Sequence, residues 1–129
     1  MKYLRYSQIF LIHSMMIDET GGSHGVRDSH AILSLEHSPR QKVFGKTLYP
    51  SVYQKAAVYA RAIIMEHPFI DGNKRTGISA ASIFLENNGY QLIAKEGELE
   101  SFALRIVDQK YGIAEIAGWF RKNSRRNKK

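Results

Sequence analysis

The chain has no cysteine among its 129 residues. This absence excludes disulfide bonds and metal sites built on thiolate ligands, and it agrees with the reducing cytoplasm, where we expect the protein to be located. A long apolar run is also missing. The apolar stretch within residues 1–16 is interrupted by His13 and Ser14, and no small-residue cleavage site follows it. It is too short to span a bilayer, so we predict an amphipathic helix there and no membrane segment.

Internal repeats, low-complexity tracts and long linkers are equally lacking. The length is close to that of one ordinary domain, and 43% hydrophobic with 24% charged residues is the composition of a soluble globular protein. We therefore predict one domain over residues 1–122, followed by a basic C-terminal tail at 123–129.

Acidic residues are absent from the segment 121–129, RKNSRRNKK, which contains six basic residues. Six of the seven net positive charges lie there, so the rest of the chain carries only +1. The tail has two interpretations: a solvated end that helps solubility, or an arm that contacts nucleic acid or a partner. Nucleic-acid contact through the body of the protein is not expected.

Apolar residues at three- and four-residue spacing predict about six helices, and the three prolines border them. Pro39 ends the second helix, Pro50 precedes the third and Pro68 ends the third. Residues 38–50 have no helical period and predict an ordered loop or a short extended flap, while 90–94 can be extended. No set of strands able to form a sheet is present, so the predicted fold class is all-α. The expected helices span about 7–20, 28–35, 51–66, 73–87, 98–109 and 113–122.

Residues 67–75, HPFIDGNKR, join two of these helices and form a polar loop whose ends are held by packing. Gly72 allows a turn with backbone angles denied to other residues. The N–H groups from there to Arg75 then lie at a helix N-terminus, which has unpaired donors and partial positive charge and binds phosphate well. The loop therefore predicts a phosphate site.

Four side chains of the loop add chemistry to that site. Lys74 and Arg75 would be unfavourable at the positive end of a helix dipole unless an anion joins them. Asp71 offers the hard oxygen that Mg²⁺ requires, and His67 can accept a proton from an attacking hydroxyl. Taken singly, His67 has a structural explanation as a helix-end residue bonded to a carbonyl, and Lys74 as a solvated cation. The co-occurrence within nine residues favours an active site.

The segment 67–76, HPFIDGNKRT, resembles the signature of the Fic/Doc superfamily, and specifically its Doc branch. Lys74 stands where members that transfer AMP usually have glycine, and Ile78 stands where the pattern ends in arginine; both departures match the Doc branch. Similar features at Gly25–Asp28, at Tyr49–Pro50 and in FLENNGY extend the resemblance over roughly residues 7–122. The residues that match the wider pattern are His67, Phe69, Asp71, Gly72, Asn73 and Arg75.

The resemblance implies a compact helical bundle with the active loop between two central helices. It further implies a bacterial toxin that uses ATP and Mg²⁺ as a kinase, moves the γ-phosphate to a threonine of elongation factor Tu and so blocks translation. His67 would be the catalytic base, assisted by Lys74 and Arg75, and Asp71 the magnesium ligand. The loop 38–50 would be the flap that docks the target. The nucleotide's phosphates would be held by Gly72, Asn73, Lys74 and Arg75.

Control of such an enzyme would come from a separate antitoxin. Residues 82–87 fit the spelling of a self-inhibitory segment, but they lie on the helix after the motif and cannot fold back over its start. A partly disordered antitoxin that folds on binding would suit a groove beside the loop.

Three other functions stay open at the level of sequence. One is AMP transfer to a protein hydroxyl. A second is a ribonuclease of the HEPN type, which pairs an arginine and a histidine as Arg61 and His67 are spaced, although Ala62 stands where a polar residue is usual. A third is a binding module that uses residues 121–129 on nucleic acid.

Overall fold

A computed structural model describes residues 1–127, and within them the fold is mostly helical, as predicted. No helix in that range is long and apolar enough to cross a membrane. The six α-helices are α1 Tyr6–Thr20, α2 Ser29–Leu33, α3 Val52–Glu66, α4 Asn73–Asn87, α5 Glu96–Asp108 and α6 Ile113–Lys122. Two antiparallel strand pairs accompany them: β1 Lys42–Val43 with β2 Lys46–Thr47, and β3 Tyr90–Leu92 with β4 Ser124–Arg126.

Helices α3 and α4 form the central hairpin of the bundle, and α1, α5 and α6 pack around it. Gly77 sets how closely the two central helices approach. A Cβ atom at this position would lie 2.7 Å from Cγ1 of Ile64 and 3.1 Å from the carbonyl oxygen of Ala60. The short loop between the helices, which contains the predicted site, therefore rests on a tightly packed base.

Several predicted boundaries are confirmed by capping contacts. Ser51 accepts from the backbone N–H of Gln54, and the Gln54 side chain accepts from the N–H of Ser51, so a capping box begins α3. Asp28 caps α2 through the N–H of Ala31. Helix α2 is shorter than expected, because a 3₁₀ turn over Ser34–Glu36 replaces its predicted last turn.

The segment 38–50 is a flap, as the sequence suggested. It begins with a 3₁₀ turn over Ser38–Arg40 and continues as the β1–β2 hairpin. At the tip of the hairpin Phe44 is fully exposed and has a positive φ of 50°. A large apolar side chain that is fully exposed on a left-handed backbone is uncommon and locally unfavourable.

The segment predicted as a tail, residues 123–129, is partly paired with the fold in the range that the structure describes, while Arg125 and Arg126 are exposed. Strand β4 pairs with β3, the N–H of Ile93 donates to the carbonyl of Asn123 at 2.7 Å, and the N–H of Asn127 donates to that of Gly89 at 2.8 Å. The basic segment therefore continues the fold, because β3 offers a free edge that needs a partner. The last two residues of the predicted tail lie outside the described range.

Candidate active site

The loop between α3 and α4 is shaped by two residues in the left-handed region. His67 ends α3 with φ 51° and ψ 56°, and Gly72 precedes α4 with φ 78° and ψ 19°. The proline after His67 prevents the helix from continuing, since it disfavours helical angles at the residue before it. The first α4 hydrogen bond runs from the N–H of Thr76 to the carbonyl of Gly72. The N–H groups of residues 73–75 therefore have no partner within the helix.

The imidazole of His67 is exposed, and its contact identifies its tautomer. Nδ1 lies 3.1 Å from the carbonyl oxygen of Met65. Because a carbonyl can only accept, Nδ1 carries the proton, and Nε2 of the neutral ring keeps its lone pair. The carbonyl contact that the sequence suggested as a structural role is thus present, and it leaves Nε2 as the ring nitrogen able to accept a proton.

The Asn73 side chain is buried and holds the loop together. Its Oδ1 accepts from the N–H of Phe69 at 3.0 Å, and its Nδ2 donates to the carbonyl of the same residue at 2.9 Å. Both ends of the amide are therefore bonded to the loop backbone. The backbone N–H of Asn73, at the start of α4, is the group of this residue that has no partner within the helix.

Phe69 anchors the loop in the core beside a residue whose role the sequence did not reveal. The buried ring of His13 stacks on Phe69 with centroids 3.7 Å apart and an angle of 6°. Nε2 of His13 lies 2.8 Å from the carbonyl oxygen of Asp71, to which it donates. His13 falls one helical turn from each of the buried residues Ile9 and Ile17. The position of a histidine on the apolar face of α1 was the sequence signal that could have revealed this role.

Asp71 stands at the exposed edge of the loop. Its Oδ2 accepts from the N–H of Ser23 at 2.8 Å, while Oδ1 has no hydrogen bond to any residue in the range 1–127. Within that range no three His, Cys, Asp or Glu side chains converge to hold a metal. A Mg²⁺ ion bound here would take one protein oxygen and draw its other ligands from phosphate and water, which fits the preference of this ion.

A second segment, residues 25–28, is hydrogen-bonded to the backbone at the start of the loop. Nε of Arg27 donates to the carbonyl of His67 at 2.7 Å, and its Nη2 donates to the carbonyl of Glu66. The N–H groups of Arg27 and Asp28 both donate to the carbonyl of Pro68, at 2.7 and 2.9 Å. A cation on the last carbonyls of α3 is favourable for the helix dipole. Arg27 thus fixes the backbone at His67.

Lys74 and Arg75 are both exposed on the first turn of α4, beside a groove of about 610 Å³ between α1, α4 and α5. Nη2 of Arg75 lies 3.3 Å from Oε1 of Glu100, and both side chains are about half exposed. Such a pair contributes little to stability, so a phosphate can replace it at low cost. The remaining lining residues are Met16, Glu19, Thr20, Ile78, Ser79, Glu96, Leu99, Ala103 and Leu104.

The Arg61 and His67 pair proposed for a ribonuclease is not formed. Nε of Arg61 donates to the carbonyl of Tyr111 at 2.9 Å, which ties α3 to the segment before α6. Six residues of helix turn the chain by about 240°, so the two side chains leave α3 on different faces.

Comparison with known proteins gives a matching family and similar sequences. A family model described as the Fic/DOC family matches residues 3–85, a range that includes α1 and the whole loop. Toxin Doc of Mycolicibacterium smegmatis is 35% identical over 105 residues, which cover 77% of this chain and 81% of that protein. Protein kinase doc of Escherichia phage P1 is 24% identical over 128 residues, which cover 95% of each chain.

Proposed function

This chain belongs to the Fic/DOC family, in its Doc branch, and on that basis we propose that it is the toxin of a bacterial type II toxin–antitoxin pair. Its proposed activity is that of a protein kinase, which transfers the γ-phosphate of ATP to a threonine of elongation factor Tu and so stops translation. The observation that carries the proposal is the start of α4, where three backbone N–H groups without helical partners stand beside two exposed cations.

The proposed phosphate site uses the backbone first and the side chains second. The N–H groups of residues 73–75 point out of the helix start, where the dipole also favours an anion. Arg75 can hold two phosphate oxygens at once, and Lys74 adds a movable charge. Binding of the phosphates would draw Arg75 away from Glu100, which holds it at 3.3 Å.

The proposed transfer needs a base and no nucleophile from the protein itself. The hydroxyl oxygen of the target threonine attacks the γ-phosphorus, and the bond from that phosphorus to the β–γ bridging oxygen breaks, so ADP leaves. The hydroxyl proton moves to Nε2 of His67, whose lone pair is available because Nδ1–H is bonded to Met65. Arg27 holds the carbonyl of His67 and keeps the ring at its place.

Asp71 would bind Mg²⁺, which neutralises charge on the phosphates when it is bound. Asp71 is suited to this role because Ser23 fixes one carboxylate oxygen and leaves the other available. The hydrogen bond from His13 to the Asp71 carbonyl holds the same residue from the core side.

Transfer of phosphate instead of AMP is supported by position 78. Ile78 lies one turn after Lys74, is 8% exposed and lines the groove. An arginine there would reach a second phosphate in the orientation used for AMP transfer. With isoleucine, that orientation lacks a charge-assisted hydrogen bond, a contact commonly worth ~1.5–3 kcal/mol. Lys74 supplies charge at a different place.

The groove beside Arg75 is our proposed binding site for the antitoxin. Its walls carry apolar side chains together with Glu19, Glu96 and Glu100, so it would suit an amphipathic helix with basic residues along its edge. Residues 82–87 lie on α4 and end at its far end, so they are not available to cover the start of the same helix.

The decisive experiment uses purified protein with a cell extract, Mg²⁺ and ATP labelled at either the α or the γ phosphorus. We expect label on a protein of the size of elongation factor Tu from γ-labelled ATP only, and a mass increase of one phosphate on a threonine. His67→Ala and Arg75→Ala should abolish the labelling. The matched control is His30→Ala, which removes an exposed histidine of α2 and should change nothing.

Two outcomes would contradict the proposal in different ways. Label from the α position, with an AMP adduct, would make the protein an AMP transferase that uses the same site. Cleavage of RNA without ATP, retained in Arg75→Ala, would exclude phosphate transfer altogether.

A further inference from the structure

A second cavity, of about 440 Å³, lies at the opposite end of the α3–α4 hairpin from His67. It lies where α3 begins and α4 has ended, and residues of β3, β4 and α6 also line it. With a rise of about 1.5 Å per residue, the 15 residues of α3 separate it from the active loop by about 22 Å. The cavity is therefore distinct from the proposed kinase site. It is lined by Met1, Ser51, Val52, Tyr53, Asn88, Tyr90, Arg121 and Arg126.

Two tyrosines that contact each other line this cavity, and an arginine lies beside each of them. The rings of Tyr53 and Tyr90 meet edge to face with centroids 5.3 Å apart. The guanidinium of Arg121 lies 5.2 Å from the ring centre of Tyr53, and that of Arg126 lies 5.8 Å from the ring centre of Tyr90. Both rings are partly exposed and both arginines are exposed. Flat apolar surfaces and cations are thus offered side by side.

The charge around the cavity is of one sign. None of its eight lining residues is acidic, whereas three glutamates line the groove beside Arg75. Arg121 and Arg126, which line the cavity, belong to the segment 121–129, which contributes six of the seven net positive charges of the chain. A polyanion is the ligand class that such a field attracts.

The basic residues are also held in place. Pairing of β4 with β3 fixes the backbone of Arg125 opposite Gln91 and that of Arg126 opposite Tyr90. Because successive strand residues point to opposite faces, Arg126 lines the cavity and Arg125 faces the other side of the small sheet. A strand that is already ordered loses little entropy on binding, which distinguishes this site from a flexible basic tail.

We propose that this surface, defined as Tyr53, Tyr90, Arg121 and Arg126, binds single-stranded nucleic acid. Arginines on phosphates and bases against partly exposed aromatic rings are the two contacts that such ligands use. An acidic protein segment would use the arginines and leave the rings without a role. The ligand is thus a phosphodiester strand with accessible bases, from RNA or from DNA.

The test measures fluorescence anisotropy of labelled 12-nucleotide RNA and DNA strands of one sequence, and of the matching duplex, with the full chain over a salt series. We expect single strands to bind more tightly than the duplex. The double variant Arg121→Gln/Arg126→Gln should weaken binding at least tenfold and lower the salt slope by about 1.4, since each lost contact to a single strand contributes about 0.7. Tyr53→Leu should weaken it severalfold with the slope unchanged.

The control is Lys42→Gln/Lys46→Gln, which removes the same charge from the flap and should bind as the unmodified chain does. Circular dichroism of every variant verifies folding. Tighter binding of RNA than of DNA would identify RNA as the ligand. Equal binding of both would identify a site for single strands of either kind, and either outcome supports the proposal. Equal losses in the arginine and flap variants, an unaffected Tyr53→Leu, or equal binding of a polyglutamate peptide would overturn it.

Discussion

Replacing His13 by phenylalanine would remove one hydrogen bond and keep a planar ring stacked against Phe69. The bond in question runs from Nε2 of His13 to the carbonyl of Asp71, at 2.8 Å. The stack has centroids 3.7 Å apart, and phenylalanine is close enough in shape to preserve it. The variant therefore separates the hydrogen bond from the packing.

The expected cost in stability follows from the surroundings of the carbonyl. A lost hydrogen bond of this type costs about 1 kcal/mol, and up to about 3 kcal/mol where the abandoned group stays buried. Asp71 is an exposed residue and its hydrogen bond to His13 is part-buried, so a value toward the lower end applies. We expect the free energy of unfolding to fall by about 1 kcal/mol, measured from the urea midpoint.

The effect on phosphate transfer should exceed what the small loss of stability suggests. The His13 bond holds the backbone of Asp71 next to Gly72, so its loss lets the proposed magnesium ligand and the first phosphate N–H groups move together. A loss of 1 kcal/mol in positioning lowers a rate about fivefold. We expect the transfer rate from γ-labelled ATP to fall five- to tenfold and the half-saturating Mg²⁺ concentration to rise.

The control for this experiment is His30→Phe, which places the same ring on the exposed face of α2 and should change neither quantity. If His13→Phe loses the expected stability while its transfer rate and magnesium requirement stay unchanged, His13 is a core residue only. In that case the inference that it positions Asp71 is refuted.

Three further predictions concern the hairpin packing, a buried tyrosine and the flap. Gly77→Ala should destabilise the chain by about 1–3 kcal/mol in urea unfolding, because the new Cβ would lie 2.7 Å from Cγ1 of Ile64. A Cβ at Gly118 would meet no atom within 4 Å, so Gly118→Ala should stabilise the chain by about 0.5–1 kcal/mol. Burial raises the pKa of Tyr59 from 10.0 to about 12, so the folded chain favours the neutral hydroxyl. The stabilisation of the fold by this group is complete below pH 10 and is lost as the pH rises through 12. Tyr59→Phe should therefore remove that part of the pH dependence of the urea midpoint. Phe44→Ser should raise the half-saturating target concentration severalfold and leave the thermal midpoint unchanged, since the ring is fully exposed; an unchanged target requirement would remove the flap from docking.

The helices and the position of the loop were predictable because their signals are local. Pro68 ends α3 through its effect on the residue directly before it, and the turn at Gly72 directly precedes the start of α4. The Asp28 cap and the box at Ser51 likewise depend on residues three positions apart. The short range of these interactions is the reason that six helices could be placed from the pattern alone.

The contacts that shape the loop were not predictable, since they join residues far apart in the chain. His13 reaches Asp71 across 58 positions, and Arg27 reaches His67 across 40. The structural role of the Asn73 side chain was not predicted either, because only the fold shows its amide bonded to the backbone of Phe69. The basic end was predicted as a tail because its charge pattern does not reveal that β3 has an edge to pair.

The sequence by itself determined which chemical groups meet at the candidate active loop, since His67, Asp71, Lys74 and Arg75 lie within nine residues whose order imposes a helix end, a turn and a helix start. Tertiary structure decided how those groups are held: which nitrogen of His67 is free, which oxygen of Asp71 is available, and which carboxylate Arg75 contacts. The division has a physical cause. Local backbone conformation depends on neighbouring residues, whereas the orientation of a side chain depends on whatever the fold brings against it.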